Sequence, residues 1–175
     1  IAFDVKTVGD GDTLAVGAAT VAVRALPGHT TGMAGLIVGD VLLSGDSLFL
    51  NGVARPDLED GAAVETLARS LYESVTEGLA DLGDETVLAP GHLDGGDERG
   101  ADGTYTASLG DVRKRVGVFG IDEAAFVERV TGGFPPEPAN AARIVALNLG
   151  VEATDEAEAF ALELGPNNCA AGPVE

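Results

Sequence analysis

Two Pro-Gly-His strings constrain this chain more than any other feature. They fall at residues 27–29 and 90–92, and they hold the only two histidines among 175 residues. Each closes an apolar, strand-like segment, VAVRAL before the first and ETVLA before the second. A third such segment, VLLSG at 41–45, ends at Asp46. Each histidine follows a glycine that lets the backbone turn sharply, and Asp46 follows Gly45. Imidazoles and carboxylates on loops that leave a rigid sheet are the ordinary setting of a metal centre. His29, Asp46 and His92 are therefore the candidate metal ligands.

The pattern around them is that of a mixed α/β layer fold. Residues 1–43 read as β-structure: FDVKTV alternates, GDGD at 9–12 marks a turn, and TLAVG alternates again. TVAVRAL at 20–26 is the next strand, and Gly39-Asp40 joins MAGLIVG to VLLSGD as a hairpin turn. After a loop over 47–60 with Pro56, Asp60 stands as the N-cap of a helix. Val64, Leu67, Ala68, Leu71, Val75, Leu79 and Leu82 form that helix's apolar stripe. ETVLAP at 85–90 is a short strand, and 93–104 a Gly- and Asp-rich loop. Further helices are expected at about 107–117, 122–131 and 139–149, the last closed by Gly150. Residues 1–150 read as one domain and 151–175 as an acidic, Ala-rich, poorly ordered extension.

Charge narrows the partners. The net charge is −19, with 29 acidic residues against 10 basic ones. Nucleic acid and anionic membranes are excluded by the lack of a basic surface. No apolar run approaches the roughly 20 residues of a membrane span. An acidic, lysine-poor surface suits a protein that stays soluble at high salt, where counterions screen self-repulsion; a halophilic source is the expectation. The single cysteine, Cys169, rules out an internal disulfide and a thiolate zinc cluster, and reads as a free or packed thiol. No signal peptide is visible, so a cytoplasmic location is expected. No methionine opens the chain, and Ile1 already lies in a strand-like segment, which leads us to expect a piece of a longer protein.

LPGHTTG, then VLLSGDSLFLNGVARPDLEDG, then a helix, then VLAPGH resembles the C-terminal half of the metallo-β-lactamase superfamily over about residues 10–92. The resemblance implies an αββα sandwich with a metal site on one edge. It implies that His29 completes the first metal's ligands, that Asp46 reaches the metals, and that His92 serves a second metal. The superfamily's His-x-His-x-Asp-His motif has no counterpart here. The expectation is a chain lacking the N-terminal half of the sandwich, weak in metal binding and inactive alone; a non-catalytic half-domain that binds a partner is the alternative.

The loop VARPD and the downstream FVERVTGGFPPEP are similar to the persulfide dioxygenase branch. That branch implies one Fe(II) held by two histidines and an aspartate, oxidising a low-molecular-weight thiol persulfide to sulfite, with His92 only nearby. The alternative is a hydroxyacylglutathione hydrolase-like thioester hydrolase, with two Zn2+ and His92 as a ligand. Arg55 either holds a substrate carboxylate through a bidentate pair or pins its own loop through Asp57 or Asp60.

Overall fold

The computed structural model describes residues 2–59, 61–93, 97–137, 140–163 and 171. Asp60 and Cys169, an expected N-cap and an expected free or packed thiol, lie outside them. The described residues fall into two compact units. One comprises 8–135 with Ala171; the other comprises 2–7, 136–137 and 140–163.

The first unit is built on a six-stranded sheet in chain order: β1 (Thr13–Val16), β2 (Ala19–Ala25), β3 (Ala34–Val38), β4 (Val41–Gly45), β5 (Val87–Pro90) and β6 (Ala107–Ser108). Every neighbouring pair is antiparallel except β4 and β5. That parallel pair needs a crossover, and helix α1 (Val64–Thr76) supplies it. The Gly39-Asp40 hairpin forms as expected, with Gly39 at φ +61°. The parallel pairing decides where the chemistry falls. Gly45 lies opposite Pro90, so the residues after β4 and β5 emerge side by side at one sheet edge.

Both sheet faces are apolar. Leu42, Ile37 and Leu88 share the face that joins the core, where Leu42 and Leu88 are fully buried. Val23, Leu36 and Leu43 share the other face. Such two-sided patterning belongs to a sheet inside a layered fold. Helix α1 turns the expected stripe inward, burying Leu67, Ala68, Leu71 and Val75. Its Tyr72 meets Phe126 of α3 (Glu123–Thr131) edge to face at 5.4 Å. Helix α2 (Leu109–Arg115) is capped by Ser108, and α3 by Asp122.

The second unit holds α4 (Ala141–Asn148) and α5 (Glu156–Glu163). Arg143 ties them through ion pairs with Glu152 and Glu158. No described helix is long and apolar enough to cross a membrane.

The structure departs from the sequence reading in four places. Residues 3–8 alternate but form no strand, because a strand needs a hydrogen-bonded neighbour and the described sheet starts at Thr13. Helix α1 has its N-cap at Ala63 rather than Asp60 and stops at Thr76, and Leu79 is buried from the turns that follow. The expected helix at 107–117 begins as strand β6, which pairs with β5. Residues 156–163, read as part of a poorly ordered extension, form α5.

Candidate metal centre

The first turn is pressed against α1. A Cβ on Gly28 (φ +147°) would lie 2.4 Å from the Cβ of Leu71 and 2.6 Å from its Cα, so only hydrogen fits. Ser74 on the same helix donates to the carbonyl of Pro27 at 2.7 Å. The next residue, His29, is left 7% exposed. Its Nδ1 lies 2.8 Å from the carbonyl oxygen of Arg55. A carbonyl only accepts, which assigns the proton to Nδ1 and leaves the lone pair on Nε2 in the neutral ring. That Nε2 lies 3.9 Å from Asp46 Oδ2.

Asp46 follows Gly45, a left-handed residue at φ +54°, and its side chain is 14% exposed. The second turn comes in beside it. Gly91 donates its N–H to the carbonyl of Gly45 at 2.9 Å. A Cβ on Gly91 would lie 2.9 Å from Asp46 Oδ1 and 3.0 Å from the carbonyl carbon of Gly45. That close approach lets His92 Nδ1 donate to Asp46 Oδ1 at 2.7 Å, while the His92 side chain stays 47% exposed. The Asp46 carboxylate thus stands between two imidazoles, one buried and one open.

The loop after Asp46 is stitched beneath this cluster. Ser47 donates to the carbonyl of Leu26 at 2.9 Å and Ser44 to that of Leu48 at 2.7 Å. Leu48, Phe49, Val53 and Ala54 are buried. Arg55 is only 2% exposed. Its Nε and Nη2 donate to the two carboxylate oxygens of Asp57, each at 2.7 Å, and its guanidinium lies 5.6 Å from the ring centre of Phe134. The loop-pinning pair between Arg55 and Asp57 is formed. The sequence reading missed Glu59, which accepts from the Thr31 N–H at 2.5 Å and the Thr31 hydroxyl at 2.8 Å. It also missed the stacking role of Phe134. No spacing rule marks either residue, because both partners are distant in sequence.

As a metal centre the cluster is partial. An imidazole nitrogen and a carboxylate oxygen face one another at 3.9 Å, wider than the roughly 3.4 Å between two donors each about 2.1 Å from a tetrahedral ion. The donor set suits iron or zinc as part of a two-histidine, one-carboxylate site. Among the described residues, no group of three or more His, Cys, Asp or Glu is placed to hold a metal ion.

No family model matches the chain. A solved metallo-β-lactamase from Staphylococcus aureus aligns with it at a TM-score of 0.71 and 28% identity, covering 82% of this chain and 44% of that one. The chain has a metallo-β-lactamase fold. ETHE1 from Myxococcus xanthus aligns with a TM-score of 0.59 and 31% identity, over 69% of this chain and 49% of that one. In sequence, the mitochondrial persulfide dioxygenase ETHE1 of Mus musculus is 32% identical over 87 residues, 49% of this chain and 32% of that protein. The chain spans about a third of the length of the curated relatives it matches first. Within the metallo-β-lactamase fold, the positions that the resemblance assigns to metals, His29, Asp46 and His92, lie together where β2, β4 and β5 end.

Proposed function

We propose that the protein is a persulfide dioxygenase-like metalloenzyme, with His29 and Asp46 as two protein ligands of a single iron. The third is a histidine from outside these 175 residues. The substrate is a low-molecular-weight thiol persulfide: dioxygen oxidises its outer sulfur, water supplies the third oxygen of sulfite, and the S–S bond breaks to release the thiol. The iron would supply the open positions for thiolate and dioxygen.

One observation carries this reading: a buried imidazole and a carboxylate converge, with His29 Nε2 3.9 Å from Asp46 Oδ2. The Arg55 carbonyl holds His29 Nδ1, so that Nε2 is the nitrogen turned toward Asp46, as in a ligating histidine. His92 gives its Nδ1–H to the Asp46 carboxylate from a half-exposed side chain. The sequence similarity to the mouse persulfide dioxygenase points the same way.

The test is metal analysis of the full-length gene product, with oxygen uptake on glutathione persulfide. About one iron per chain and oxygen consumption are expected. Two zincs per chain, no oxygen uptake and hydrolysis of a glutathione thioester would overturn the reading.

A further inference from the structure

We propose that Arg55 is a positioning residue for His29, and that the stretch 55–59 decides which His29 nitrogen carries the proton. This deepens the reading of His29 as a metal ligand and rests on it for its purpose.

The two neutral tautomers of a histidine ring are close in energy, so one hydrogen bond selects between them. Here the selecting group is the carbonyl of Arg55, 2.8 Å from Nδ1. Its direction is set from several sides. Pro56 follows, which fixes its own φ and restricts Arg55 to extended backbone. The Arg55 side chain is 2% exposed and held by both oxygens of Asp57, against Phe134. A planar fork held at two points resists rotation in a way a single contact does not. At the other end, Glu59 grips the backbone and hydroxyl of Thr31, two residues beyond His29. The turn and the loop are thus clamped on both sides of the imidazole. The Arg55 charge orients a carbonyl here, and a lysine could not substitute, because its ammonium cannot make the paired contact with Asp57.

The test reads the ring nitrogens of His29 in the metal-free, full-length protein labelled with 15N-histidine. His29→Gln assigns the signals, and His92 is the control in the same spectrum. The wild type should show His29 protonated at Nδ1. Asp57→Ala and Arg55→Lys should each shift the tautomer ratio about fivefold to tenfold toward the mixed state, with His92 unmoved. Asp57→Glu should keep most of the wild-type pattern. Folded variants that retain the Nδ1–H pattern of His29 would overturn the proposal. Should the Asp57 and Arg55 variants fail to fold, Glu59→Gln on the outer side of the clamp must shift the ratio in the same direction; no shift overturns it too. An arginine that only bound substrate would raise KM for persulfide and leave the ring unchanged. Iron content tests the ligand reading separately, since the tautomer is read without metal.

Discussion

The two Pro-Gly-His turns share three residues and little else. The first lies flat on α1, its glycine against Leu71, its histidine buried and its ring held by a backbone carbonyl. The second lies on β4, its glycine against Asp46, its histidine half exposed and its ring held by a side chain. Identical local sequence gives identical turning capacity; what each turn does depends on the surface it rests on. A ring fixed by the backbone keeps its aim whatever Asp46 does. A ring fixed by Asp46 shares the fate of that carboxylate. Both arrangements leave Nε2 to face a metal, but only the first ring is buried and held independently of Asp46.

The sharpest way to break this contrast is at the two glycines. Gly28→Ala places a methyl 2.4 Å from Leu71 Cβ at a φ that side chains rarely adopt. It should cost about 4 kcal/mol, combining overpacking with backbone strain. Gly91→Ala meets mainly the end of Asp46 and the edge of Gly45, and should cost about 1 to 2 kcal/mol. Denaturant melts of both variants measure the difference. Equal costs would mean that the turns are held alike.

The histidines come next. With metal bound to the full-length protein, His29→Gln should weaken affinity by more than about a hundredfold, since a ligand is removed. His92→Gln should weaken it by about 10- to 100-fold, the range for residues that orient a ligand. Competition with a chelator reads both. Equal losses would place both imidazoles on metals and favour the dinuclear hydrolase. A smaller effect is expected at Glu59→Gln, which leaves Thr31 with weaker acceptors on the first turn only. A loss of about 1 kcal/mol is expected, again from denaturant melts.

Much of the first unit was legible because its signals are local. Alternation marked β1 and β2, Gly39-Asp40 marked the hairpin, and the three- and four-residue spacing marked the buried stripe of α1. The convergence of His29, Asp46 and His92 was legible only through the repeated strand–glycine–ligand pattern and the family resemblance. What stayed hidden depends on distance along the chain. Alternation at residues 3–8 cannot show whether a partner strand exists. Arg55 carries no mark that separates a substrate clamp from an internal ion pair, because both use the same fork. The structure adds its burial and its pair with Asp57, and neither follows from spacing.

The weakest difference between the two turns lies in how their strands are anchored to the segment after α1. Arg24 on β2, which leads to the first turn, donates to the Gly78 carbonyl and to Asp81. Arg113 holds the approach to β5 through the Leu79 and Leu82 carbonyls and Asp84. Arg24 lowers the pKa of Asp81 from its ordinary value, chiefly by hydrogen bonding to the carboxylate. A carboxyl whose folded pKa is depressed stabilises the fold above its unfolded pKa, near pH 4, and loses that contribution as pH falls through the folded value. Asp81 is 63% exposed, so screening by water limits the effect to a few tenths of a kcal/mol. Asp81→Asn should therefore melt slightly below the wild type at neutral pH, and the gap should close in acid and in high salt. The absence of any gap at neutral pH would assign the anchor to the pH-independent bond between Arg24 and Gly78, so that both turns would hang on backbone carbonyls and differ only at their histidines.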